Sequence, residues 1–311
     1  MSDFNPYDAI ERMRSVTFEH KQFLLALEAF DQVYEMAARG YQKGFLLCGP
    51  PGVGKTKLAE SMLSKHPPSK QEDREVHEVI SISMPSNPTI VAVCKLILDQ
   101  LGQVYGARDT EVQLKRRLET VLTSIKTRVL IVDEAQHLVE GGRILKSPKQ
   151  VADWIKGLMD GANISIVLIG IPSAKALLLS NSQLNRRFSK RLNLKGFPAD
   201  NEGEMKVFSR YLANILKASD YPMDISYVKY ESHLRRMHYA TDGRIDFMIK
   251  LLSEAVRLLV TKGETTLSDK VLEEAFLNEI WSDACPAQNP FNGSFRPVSL
   301  TAEGQPFYYE E

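Results

Sequence analysis

Gly49-Pro50-Pro51-Gly52-Val53-Gly54-Lys55-Thr56 reads G-x-x-x-x-G-K-[ST], the phosphate-cradling motif called the P-loop. The chemistry requires these residue types. Glycines let backbone N–H groups curl around phosphate oxygens without a Cβ in the way. The Lys55 ammonium reaches the β- and γ-phosphates, and the Thr56 hydroxyl reaches a magnesium ion. The flanks agree with the motif. Residues 45–48, Phe-Leu-Leu-Cys, form a short apolar strand, and residues 58–63 continue as a helix whose positive end faces the anion. The nucleotide-binding set is therefore Gly49, Pro50, Pro51, Gly52, Val53, Gly54, Lys55 and Thr56, with Lys57 in the first turn of the helix.

Further along, residues 129–132 are a continuous apolar run, the mark of a strand buried on both faces, and it ends in Asp133-Glu134. Asp133 at the strand end is placed to hold Mg²⁺ together with Thr56. Glu134 beside it is the candidate base for an attacking water. A second buried strand, residues 164–171, leads to Ser173, which reads either as a γ-phosphate sensor or as the cap of the following helix. Residues 184–191, Leu-Asn-Arg-Arg-Phe-Ser-Lys-Arg, are dense in positive charge. Arg186 or Arg187 there can reach a neighbouring subunit's γ-phosphate as an arginine finger, with Arg191 a third choice; a solvated basic helix end is the other reading. Arg244 opens a later helix and reads either as a phosphate contact from a second domain or as a surface arginine.

Strands alternate with helices as far as about Pro198, which implies a parallel sheet covered on both faces. Helices are expected over 88–101, 110–125 and 149–159. Beyond Pro198 only helical patterns remain; the clearest is 245–260, with Ile245, Met248, Ile249, Leu252, Val256 and Leu259 on one face. Ser268 is expected to cap the next helix. The fold class is thus α/β, a P-loop sheet flanked by helices and followed by a small all-helical lid. The boundaries are an irregular arm over 1–20, the ATPase domain over 21–198, the lid over 199–284 and a mobile tail over 285–311.

With 311 residues, 43% of them apolar and 25% charged, the chain has an ordinary globular composition. The formal net charge is zero, which excludes bulk attraction to nucleic acid and leaves only local patches. Two are visible: Lys115, Arg116 and Arg117 on one helix, and Arg143, Lys146, Lys149 and Lys156 after the Asp-Glu strand and its Gly141-Gly142 loop. Each is either a contact for duplex phosphates or a solvated helix face. The three cysteines, Cys48, Cys94 and Cys285, lie far apart, which excludes a disulfide framework and fits a cytoplasmic protein. No apolar run approaches the roughly 20 residues of a membrane span, and no secretory signal opens the chain, so no membrane partner is expected.

The order of these parts resembles an AAA+ ATPase over residues 20–281. Within that class, Ile131-Val132-Asp133-Glu134-Ala135-Gln136-His137-Leu138, the strand ending Gly-x-Pro, and Gln183-Leu184-Asn185-Arg186-Arg187-Phe188 are similar to the TnsC/TniB transposition regulators. The resemblance implies ATP and Mg²⁺ as cofactors, slow regulatory hydrolysis, and a homo-oligomeric ring or helical filament on double-stranded DNA. It also implies recruitment of a transposase to a target chosen by a TniQ-type selector. The polar position after the second strand lacks the Asn common in AAA+ proteins. The principal alternative is an AAA+ replication initiator or helicase loader. A DEAD/DEAH-type helicase shares the Asp-Glu-Ala-Gln look, but the chain is too short for a second motor domain. A small-molecule kinase and a non-hydrolysing ATP-binding scaffold are the remaining rivals.

Overall fold

The computed structural model describes residues 4–17, 19–71, 74–139 and 147–309. In chain order the elements are α1 (Pro6–Ser15), α2 (Lys21–Ala38), β1 (Gly44–Cys48), α3 (Lys55–Ser64), β2 (Ser69–Lys70), β3 (Glu75–Val76), β4 (Val79–Ser83), α4 (Ile90–Gln100) and α5 (Glu111–Ser124). They continue with β5 (Val129–Asp133), α6 (Pro148–Ala162), β6 (Ser165–Gly170), α7 (Lys175–Leu179), α8 (Ser182–Arg187), β7 (Lys190–Asn193), α9 (Glu202–Ala218), α10 (Glu231–Tyr239), α11 (Ile245–Lys262) and α12 (Asp269–Glu279). Contacts divide the chain into two units.

The first unit is a five-stranded sheet in the order β4-β5-β6-β1-β7, parallel throughout. Every residue of β1, β5 and β6 is buried. That explains why their sequences run apolar without alternation: helices cover both faces. Start signals in the sequence set the helices. Thr110 and Gln113 form a reciprocal capping box on α5, and the Thr89 hydroxyl accepts from the Ala92 N–H to begin α4. Parallel register brings the carboxyl ends of the central strands into line. Ser83 lies opposite Asp133, Val132 opposite Leu168, and Cys48 opposite Gly170. Loops leaving that edge carry the motif residues.

Strand β7 lies inside the stretch that reads in sequence as a basic box. It has no apolar alternation because it is an exposed edge strand, Lys-Arg-Leu-Asn, held by its ladder to β1. Charged side chains on a sheet edge discourage pairing with other chains. Cys48 and Cys94 are buried and Cys285 is exposed; burial pushes both buried thiols up, Cys94 to about 12.

The second unit comprises α1, α9 to α12 and the stretch after Lys195, and residues Pro51–Gly54 of the P-loop group with it. Helix α11 is buried over more of its circumference than one stripe: Leu251, Ser253, Glu254, Ala255 and Leu258 are buried as well as Met248, Leu252, Val256 and Leu259, whereas Ile245 and Ile249 are only partly so. The extra cover has two sources. The N-terminal stretch, expected as an irregular arm, contains α1, which the Asn5 side chain caps and the buried Met13 ties to the helical core. The C-terminal stretch, expected to be mobile, also packs: Phe291, Leu300 and Phe307 belong to the same core. Pro, Gly and Asn at 285–306 make turns here while three widely spaced apolar side chains anchor them. Ser268 does cap α12, its hydroxyl accepting from the Val271 N–H at 3.4 Å.

Phe307 is fully buried. Phe307→Ala should therefore cost about 3 kcal/mol of stability in urea unfolding; a loosely tethered tail would show less than about 0.5 kcal/mol.

Candidate active site

The P-loop turns on two glycines that carry positive φ, Gly52 at 80° and Gly54 at 93°. Both lie in the left-handed region that side chains avoid. The Gly49 N–H donates to Gly170 O at 3.0 Å, joining the loop's start to the end of β6. Lys55 is 6% exposed, and its ammonium donates to the carbonyls of Gly49 and Pro50, both at 2.9 Å. The loop thus holds the lysine folded back over its own first residues, at the N-terminus of α3.

Thr56, one residue on, donates its hydroxyl to Asp133 Oδ2 at 2.9 Å. This bond joins the P-loop helix to the end of β5, and it brings together the two residues that the sequence assigns to magnesium. Asp133 is 4% exposed. Burial pushes its carboxyl above the usual aspartate range, against the opposing pull of the Glu134 N–H, the Thr56 hydroxyl and the Lys55 charge. A buried carboxylate that keeps so few donors is suited to a cation. Among the described residues no group of three or more His, Cys, Asp or Glu side chains is arranged around a metal. Oxygen donors from one carboxylate and one hydroxyl fit Mg²⁺, which commonly completes its sphere with water and substrate phosphates.

Glu134 follows in a left-handed conformation, φ 55° and ψ 39°, and its N–H donates back to Asp133 Oδ1 at 2.9 Å. The Glu134 side chain accepts from the amide of Gln136, a buried residue of the stretch Asp133-Glu134-Ala135-Gln136 with no role evident from the sequence alone. A polar residue two positions after Glu134, beside the apolar Ala135, was the available signal. Ser173 sits in the short turn Pro172–Ala174 after β6. Ala174, the next residue, stands at the cap position of α7.

The basic box resolves into distinct environments. Arg187 pairs with Asp160 at 2.6 Å. Arg191 donates to Phe188 O at 3.2 Å and to the Asn185 side chain. Arg186 is exposed at the end of α8, with no ion pair among the described residues. Arg244 is not a surface arginine: it is 2% exposed within the second unit. It donates to Asp242 Oδ2 at 2.9 Å and to Phe307 O at 2.6 Å, and lies over the rings of Phe247, Phe307 and Tyr309. Of the basic patches, Arg116, Arg117 and Lys149 are exposed, while Lys115 is half-buried and pairs with Glu119 at 3.6 Å. Arg143 and Lys146 lie outside the described residues.

The family model described as bacterial TniB protein matches residues 9–196, more than half of the 311. The chain belongs to the TniB family. No curated protein matches it. Among solved structures it is similar to the ORC2 protein of Aeropyrum pernix, solved as ADPNP-ADP complexes. The TM-score is 0.65 at 15% identity, over 89% of this chain and 73% of that one. It is similar also to Cdc6p of Pyrobaculum aerophilum, with a TM-score of 0.62 at 15% identity over 85% and 70% of the two chains. A third is the ORC1 protein of Aeropyrum pernix in complex with DNA, with a TM-score of 0.60 at 16% identity over 86% and 69%. The fold of this TniB chain is that of the AAA+ ATPases, a parallel P-loop sheet flanked by helices with a helical C-terminal region.

The P-loop wraps the Lys55 ammonium with the carbonyls of Gly49 and Pro50. Lys55→Ala should weaken ATP binding by about 100-fold in calorimetric titration, the scale of losing charge-assisted bonds to phosphate. Unchanged affinity would remove Lys55 from the site.

Proposed function

We propose that this TniB chain is an ATP-hydrolysing regulator of DNA transposition that assembles on target duplex DNA and links target selection to transposase recruitment. One observation carries the nucleotide part: Thr56, Asp133 and Glu134 meet at the carboxyl edge of a P-loop sheet, with the Lys55 ammonium in the loop beside them. Family membership supports the transposition part. The residues present suit ATP with Mg²⁺: Lys55 and the loop amides for the phosphates, Thr56 and Asp133 for the ion. When bound, the ion neutralises phosphate charge in the transition state.

The chain's own residues perform the remaining chemistry. Lys55 exchanges its two carbonyl partners for phosphate oxygens. Glu134 orients a water and takes its proton as the oxygen attacks the γ-phosphorus. A P–O bond forms to that water while the bond to the bridging oxygen breaks, and ADP leaves with the electron pair. Arg186 is the residue we assign as the finger reaching a neighbouring subunit, because Arg187 is already committed to Asp160. On such a reading ATP lies between copies, so that nucleotide occupancy governs assembly.

For DNA, the exposed Arg116, Arg117 and Lys149 lie on α5 and α6, two helices that pack together. They suit phosphate contacts, which would be insensitive to base sequence and weakened by salt. The DNA-bound ORC1 neighbour supports DNA binding. The same likeness keeps a replication initiator or loader as the second reading, and family membership favours the transposition role over it.

Glu134→Gln should lower ATP hydrolysis at least about 100-fold while ATP-dependent assembly on duplex DNA persists, as followed by phosphate release and co-sedimentation. Hydrolysis at the parent rate would dismiss Glu134 as the base. Loss of assembly together with hydrolysis would refute the separation of binding from turnover.

A further inference from the structure

Gln136 is 5% exposed in the turn Ala135–Leu138, and its side chain spans two parts of the sheet edge. Its Oε1 accepts from the Ile171 N–H at 3.2 Å, just beyond the end of β6. Because that partner is a donor, the orientation of the amide is settled: the NH₂ end faces Glu134 and donates to its carboxylate. The neighbourhood is built around the contact. Gly170 leaves the necessary space, since a Cβ there would stand 2.6 Å from Gln136 Oε1 and 3.3 Å from the backbone nitrogens of Ala135 and Gln136. Glu134's left-handed backbone turns its side chain back toward residue 136.

The result is a continuous chain of hydrogen bonds across three elements. Thr56 on α3 donates to Asp133 at the end of β5, and the Glu134 N–H donates to the same carboxyl group. Gln136 donates to Glu134 and accepts from Ile171, two residues before Ser173. A buried amide bonded at both ends can adopt few other positions without leaving a polar group unsatisfied.

We infer that Gln136 is a positioning residue for hydrolysis, fixing the Glu134 carboxylate and coupling its position to the β6 end that carries Ser173. It acts through Glu134, to which its amide donates. The inference rests on Glu134 being the base, as proposed above, but its hydrogen-bond half is testable without nucleotide.

Two substitutions separate the halves. Gln136→Ala removes both bonds. Gln136→Glu keeps an acceptor for Ile171 but offers Glu134 a second carboxylate in place of a donor. In ligand-free protein, amide exchange at Ile171 measured by NMR should quicken at least about 10-fold in Q136A and stay near the parent value in Q136E. Both variants should lose about 10- to 100-fold in kcat while KM stays within about 3-fold, the pattern of an interaction needed only for the chemical step. In an E134Q background, single-turnover hydrolysis should show no further loss from Q136A, because the residue it positions is already disabled. Parent-like kcat in Q136A would overturn the inference, as would an equal fractional loss in the E134Q background. Unaltered Ile171 exchange in Q136A would overturn it whatever the identity of the base. If E134Q alone hydrolyses normally while Q136A still frees Ile171, the assignment of the base has failed and the bridge between strands stands.

Discussion

The hydrogen bond from Thr56 to Asp133, 2.9 Å long, is the constraint on which the arrangement depends. It ties the first turn of the P-loop helix to the end of a strand buried on both faces. Neither partner can move alone. Asp133 is anchored opposite Ser83 in the ladder to β4, on a strand that also pairs with β6, and Thr56 by its place in the first turn of α3. The carboxylate is kept out of water, where ionisation is disfavoured, so the site favours a cation on electrostatic grounds. Glu134 follows on a left-handed residue, and Gln136 carries the connection to β6.

Much of this was legible in residue order because backbone chemistry demanded it. Gly52 and Gly54 occupy conformations that only glycine adopts easily, and the Val-Leu-Ile-Val run has no reason to be apolar throughout unless it is covered on both faces. The polar motif residues at strand ends follow from the parallel sheet, whose carboxyl edge gathers loops from every strand. Caps at Thr110 and Ser268 were likewise local signals.

What escaped the sequence was set by distant partners. Strand β7 is made by its ladder to β1 and has no pattern of its own. The C-terminal stretch looks like a loose arm by composition, yet Phe291, Leu300 and Phe307 are far enough apart that only the folded chain shows them sharing one core. Arg244 illustrates the same limit. Its position at a helix start suggests a ligand contact or solvent, whereas the guanidinium is occupied by Asp242 and by the carbonyl of Phe307, more than sixty residues away. The Arg186/Arg187 ambiguity divides for a comparable reason: Asp160, on another helix, engages one and leaves the other exposed. Gln136 stands between these cases, quoted in a motif but given meaning only by an N–H across the sheet.

In the proposed function, nucleotide is the adhesive between copies and duplex DNA the template for their assembly. Electron microscopy of the chain with duplex DNA and a non-hydrolysable ATP analogue tests this most directly. The account predicts regular rings or helical filaments on the DNA, absent when nucleotide is withheld. Single copies that leave DNA bare under every nucleotide condition would contradict it.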